Sequence, residues 1–295
     1  MPEYNISGWV DLPDEVAAME ERVGVFSSVA PLLVGVGKGK VVCLHKSYTK
    51  IGINFLLRNQ GNIGSCVGFG VAGAVDTLKA VEIANGDRET FVNYTSEEMI
   101  YGGGRKFGGY RISGDGCVVA HAISYVNEFG TLAKGKYGNI DVTTYSVDRC
   151  RRWSNASGFP KTLETISKET VVRQFARVKS WESFRDSIAS GHPVVTGSSL
   201  GFSTKTDSEG FCKQDTTWQH SMFGLAVDDE SKRPGGLISN SWGDYLKITK
   251  RKLDQPDGCF WVDAEVIDRM MRTGDCWAIS DFNGFKAKVD TSLSW

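Results

Sequence analysis

Apolar residues recur at helical spacing in several stretches of the chain. The run that starts at Cys66 places Phe69, Val71, Val75 and Leu78 for one buried helix over residues 66–84, and Gly68, Gly70 and Gly73 let it pack closely on its neighbours. Trp181, Phe184 and Ile188 mark a helix over 181–190 that Gly191 closes. Residues 117–129 read as another, ended by Gly130, and Val16, Met19 and Val23 follow the acidic Asp14 and Glu15 in a short N-terminal helix. Thr95-Ser96-Glu97-Glu98 has the form of a capping box with Thr95 at the cap, and the glycines from Gly102 to Gly116 then predict a long loop. Short apolar runs predict strands over 40–44, 171–178 and 193–197, and a buried strand follows His220. Residues 137–160 are polar and irregular.

The chain of 295 residues is long enough to bury a large core without covalent staples. Its formal net charge is −1 with no long run of either sign, so neither nucleic acid nor an anionic membrane is favoured as a partner. Seven cysteines, at 43, 66, 117, 150, 212, 259 and 276, are odd in number and include no C-x-x-C pair. That spacing argues against a disulfide framework and a zinc knuckle, and no metal or other cofactor is expected. The acidic N-terminus is wrong for a secretory signal peptide, and the uncharged run over residues 23–37, which holds Pro31 and three glycines, is too short to span a bilayer. These features point to the cytoplasm or another reducing compartment. Gly35 to Lys40 lacks the spacing of a phosphate loop, and Gly68 to Gly73 matches a dinucleotide fingerprint in letters but follows no strand.

Cys66 stands where a glycine-rich loop meets a predicted helix. The unsatisfied N–H groups of a first helical turn favour the thiolate, the nucleophilic form. Gln60, six residues earlier, could return a side-chain N–H beside the backbone N–H of Cys66, which is how an oxyanion site is built. At these positions the sequence resembles the papain-like cysteine peptidases, whose nucleophile follows a glutamine in a C-G-S-C-[WY] context: Gln60, Gly64, Ser65 and Cys66 fall in register. Ile63 replaces a cysteine that the secreted members usually bridge, and Val67 replaces the aromatic residue, so the resemblance is to a divergent, non-secreted type. His220 opens the apolar run, and Asn240-Ser241-Trp242-Gly243 is the family's asparagine motif letter for letter. The order Cys, His, Asn at separations near the roughly 130–150 residues typical of such enzymes joins the three motifs. His45, His121 and His192 have no comparable context and read as structural.

The resemblance implies an α+β, papain-like two-lobed fold. A helical lobe would span about residues 60–135, a twisted antiparallel β lobe about 160–282, and a catalytic cleft would lie between them. Residues 1–39 would be an N-terminal extension to a catalytic domain over 40–295, with no room for the family's long helical pro-segment. It implies Cys66 as nucleophile, His220 as its proton acceptor and donor, Asn240 as the orienter of the His220 ring and Gln60 as oxyanion donor. Gly116 and Trp242 are the substrate-binding candidates, Gly116 beside the substrate backbone and Trp242 also shielding the His220–Asn240 bond. The implied activity is that of a cysteine-type peptidase acting on a peptide or protein substrate. The alternative is a catalytically idle papain-like module within a larger protein assembly: Val67, and Gly114-Asp115-Gly116 where the family usually has N-G-G, keep it open, and the four retained polar residues disfavour it. A transglutaminase or acyltransferase would want an acidic third member, which Asn240 is not.

Overall fold

The computed structural model describes residues 7–86, 90–168, 172–281 and 284–286. The helices are α1 (Pro13–Val23), α2 (Phe26–Val29), α3 (Lys46–Lys50), α4 (Cys66–Ala84), α5 (Glu97–Phe107), α6 (Val119–Phe129), α7 (Val147–Trp153), α8 (Leu163–Ser167), α9 (Trp181–Ala189) and α10 (Ala264–Thr273). The strands are β1 (Val41–Cys43), β2 (Lys136–Tyr137), β3 (Ile140–Asp141), β4 (Gln174–Arg177), β5 (Val194–Thr206), β6 (Cys212–Asp228), β7 (Gly235–Ser239), β8 (Cys259–Asp263) and β9 (Asp275–Ser280). Seven strands form one antiparallel sheet in the order β4-β9-β5-β6-β7-β8, with β1 also paired to β6, and β2 and β3 form a small hairpin. The α+β expectation therefore holds. No described helix is long and apolar enough to cross a membrane.

Helix α4 is buried almost all round and packs its N-terminal half on β6. Its glycines make that approach possible: a Cβ on Gly70 would lie 2.8 Å from Ser221 Oγ, and one on Gly73 would lie 2.2 Å from the Phe223 ring. Cys66, the first residue of α4, is thereby seated against the strand that carries His220. In the pairing of β6 with β7, Phe223 lies opposite Ser239, so the chain leaving β7 runs back along β6 and delivers Asn240 to His220.

Several expectations change. The loop expected from Gly102 opens only after Phe107, because α5 continues through Gly102, Gly103 and Gly104. A Cβ on Gly103 would meet the Tyr125 ring at 2.2 Å and one on Gly104 would meet Cys117 Sγ at 2.7 Å, so close packing of α5 on α6 selects glycine at a cost of about 1 kcal/mol each in helix propensity. The cap of α5 is Ser96, one residue later than expected; its hydroxyl receives Met99 N–H, while Thr95 bonds the buried Asp76 of α4. Helix α6 begins at Val119, leaving Cys117 extended, and the polar 137–160 stretch holds α7 with Ser146 as its cap. The strand expected over 171–178 is β4; Val171 lies outside the described residues. Helix α10 was not anticipated, although Ile267, Met270 and Met271 bury one face of it. All seven cysteines are buried and free.

Gly103→Ala tests the packing account. Despite alanine's better helix propensity, it is expected to lower the unfolding free energy by about 1–3 kcal/mol through overpacking against Tyr125. A urea midpoint equal to or above that of the parent would contradict it.

Candidate active site

Two loops are zipped together beneath the site. Gln60 N–H donates to Ser241 O and Gly243 N–H to Arg58 O, both at 2.8 Å, and the Ser241 hydroxyl donates to Gln60 Oε1 at 2.6 Å. The Arg58 guanidinium, buried, pairs with Asp76 of α4 and, at 3.4 Å, with Glu97 of α5. A buried charge is held this way only when its partners are also fixed, so the Gln60 loop has one position relative to the start of α4. One hydrogen of the Gln60 amide is committed to Ile63 O at 2.9 Å, leaving the second for another acceptor.

His220 and Asn240 meet at 2.7 Å between Nε2 and Oδ1. Asn240 Oδ1 also receives Ser241 N–H at 2.6 Å, which fixes the amide with its oxygen toward the histidine. Nε2 must then be the protonated nitrogen, and the lone pair of the neutral ring sits on Nδ1, which has no hydrogen-bond partner among the described residues. Trp242 packs its ring 4.6 Å from the imidazole and Trp218 packs at 5.8 Å, so two indoles keep water from the pair. Burial pushes the His220 pKa down to about 4, against the opposing effect of the Asn240 bond.

Cys66 Sγ receives the N–H of Ser221, the residue after His220, at 3.3 Å. Burial nevertheless pushes its thiol up to about 12, opposite to the direction expected at a helix start, and the N–H groups of Ser221, Val67 and Cys66 itself offset only part of this. The physical reason is a cover that sequence reasoning missed. Residues 7–10 lie extended across the thiol: Gly8 and Trp9 donate to Gln219 O at 2.7 and 2.9 Å, Cys117 N–H donates to Gly8 O and Val10 N–H to Cys117 O, both at 3.0 Å. A Cβ on Gly8 would lie 2.8 Å from Cys66 Sγ, so only glycine fits over the sulfur. Cys66, Gln60 and His220 all have 0% exposure.

The cover continues into α1, which is tied to both sides. Glu15 pairs with Arg111 at 2.9 Å and meets His121, whereas Glu20 pairs with Lys179 at 2.8 Å and Arg177 at 3.6 Å. Gly116, at φ +113°, lies against the segment, where a Cβ would meet Val10 Cγ2 at 2.7 Å, but the main-chain pairing is made by the adjacent Cys117. Trp242 lies on His220 and is itself buried. The one signal for the cover was a tryptophan beside a glycine, Gly8-Trp9, ahead of the acidic start of α1.

Three buried histidines give a pH dependence with a definite sign. Burial holds His45 and His192, like His220, down to about 4 from an ordinary 6.5. Below pH 6.5 the unfolded chain takes up protons that the folded one refuses, so stability falls as pH drops from 6.5 to about 4, by up to about 3 kcal/mol per ring. Urea midpoints measured at pH 7, 5.5 and 4 should decline steadily; a flat series would contradict the neutral burial of these rings.

A scan against protein-family models finds no match, and a search of curated proteins finds none. Among solved structures the chain is similar to xylellain, a cysteine protease from Xylella fastidiosa, at 18% identity over 96% of this chain and 98% of that one, with a TM-score of 0.65. It is similar as well to the Amb a 11 cysteine protease, a major ragweed pollen allergen, in its proform, at 16% identity over 94% of this chain and 74% of that one, with a TM-score of 0.57. At these identities the likeness speaks for the fold, and the fold is papain-like.

Proposed function

We propose, from a papain-like fold with a thiol at the start of its central helix, that this chain is a cysteine-type peptidase whose cleft is closed by its own residues 7–10 in the state described. The observation that carries the reading is the oriented histidine: Asn240 holds the Nε2 proton of His220, which leaves Nδ1 as the base, one residue from the N–H bonded to Cys66 Sγ. Once the cover leaves, Cys66 passes its proton to His220 Nδ1 and attacks a peptide carbonyl. The oxyanion is met by the Cys66 backbone N–H and the second amide hydrogen of Gln60. His220 then gives the proton to the leaving amine, and water hydrolyses the thioester with the same ring as base. The substrates are peptides or proteins in extended form, because main-chain groups of Cys117 and Gln219 line the cleft where residues 7–10 now pair.

A second reading, the idle module, draws on the complete burial of Cys66. The two readings part on cleavage of a degenerate peptide library, under reducing conditions, by the chain carrying Trp9→Ala, which loosens the cover, with and without Cys66→Ala. The peptidase reading expects cleavage that Cys66→Ala removes; the idle reading expects the same background from both proteins.

A further inference from the structure

Trp9 does more than help cover the sulfur. Its side chain is 3% exposed and fills a cavity beside the cleft, where the indole N–H donates to Asp275 Oδ2 at 3.3 Å. Asp275, the first residue of β9, is held from the other side: the Val119 and Ala120 N–H groups at the start of α6 reach the same oxygen at 2.7 and 3.3 Å, and the Trp277 indole N–H takes the other oxygen. The wall under the ring is Gly197 of β5, where a Cβ would stand 2.4 Å from the indole nitrogen. The cavity thus has the width of an indole and one preplaced acceptor for an indole N–H, and it opens on the strip where a peptide backbone pairs with Cys117 and Gln219.

We propose that this cavity is the side-chain specificity pocket of the cleft, and that Gly197 and Asp275 make it select tryptophan in the peptide that replaces residues 7–10. The proposal rests on the reading of the cleft as a peptide site. Gly197 admits the two-ring side chain. Asp275 distinguishes it from other aromatics of similar size, since an analogue that lacks the N–H takes one donor from a buried carboxylate oxygen and leaves it only the Val119 and Ala120 N–H groups.

The test is equilibrium binding to the full chain carrying Trp9→Ala, which vacates the pocket, and Cys66→Ala, which prevents turnover. The probes are capped tetrapeptides Ser-Gly-X-Val, with X tryptophan, naphthylalanine, phenylalanine or alanine. The resident segment competes equally with all four, so their affinity ratios are unaffected by it. Tryptophan should bind about tenfold more tightly than naphthylalanine, which keeps the two rings and lacks the N–H, and more tightly still than alanine. Adding Gly197→Ala should bring the tryptophan peptide down to the affinity of the alanine peptide for the same protein. Affinities within twofold across the four probes, or a tryptophan preference that survives Gly197→Ala, would overturn the pocket. Binding is read without cleavage, so the two readings fail separately: a preference seen here with no cleavage by the Trp9→Ala chain overturns the peptidase alone.

Discussion

In the Trp9→Ala chain, iodoacetamide labels Cys66 about a hundredfold faster than in the parent. Trp9 is the largest side chain of the cover and is almost wholly buried, and truncating a buried tryptophan to alanine costs about 3–5 kcal/mol. Even the lower figure, applied to the docking of residues 7–10, shifts the balance between closed and open cleft by about two powers of ten. Labelling tracks the open population when opening and closing are fast relative to the reagent. The thiol also becomes more reactive on opening: burial, which holds it near 12, is relieved, while the N–H groups of Ser221 and Val67 remain. Cys43, Cys150, Cys212, Cys259 and Cys276 make no main-chain contact with the cover and serve as internal controls. Peptide mapping after a brief pulse reads all of them at once. Equal acceleration at every site would mean that the substitution loosens the whole fold; no acceleration at Cys66 would mean that Trp9 does not anchor the cover.

Among chains that carry Trp9→Ala, the site residues should separate by their unequal tasks. Cys66→Ala removes the nucleophile and abolishes peptide cleavage. Gln60→Ala takes away one oxyanion donor, which costs about 3 kcal/mol of barrier, so kcat should fall about a hundredfold with little change in KM. Asn240→Ala frees the His220 ring without removing it and should leave measurable activity, because the base is still present in a fraction of its orientations. Its kcat should recover in Asn240→Gln only if the longer amide can reach Nε2 past Trp242. Steady-state kinetics on a single cleavable peptide give the order. A Gln60→Ala protein with unchanged kcat would remove the side-chain oxyanion donor from the account.

Much of the scaffold could be read directly from the chain where local signals and tertiary packing agree. Helix α4 has the bounds expected, Cys66–Ala84, because an apolar run after a glycine loop has no competing structure. Asn240 was legible through its motif, and the β6–β7 register explains why a residue just past β7 reaches His220. The misses arise where packing overrides propensity. Gly102, Gly103 and Gly104 look like loop residues alone and are helical because Tyr125, Cys117 and Trp153 leave no room for a side chain. The cover could not be found from spacing at all: Gly8 and Trp9 are explained only by Cys66 and Asp275, far away in sequence and on opposite sides of the cleft. Asp275 itself gave no signal, since a lone acidic residue before a strand is ordinary until four N–H groups converge on it.

The central claim is that Cys66 cleaves peptides once its own N-terminal residues stand aside. It is tested most directly by mass spectrometry of a degenerate peptide library incubated, under reducing conditions, with the Trp9→Ala chain and with the chain carrying both Trp9→Ala and Cys66→Ala. The account predicts new peptide termini with the first protein and none above buffer with the second; identical product profiles from the two would contradict it.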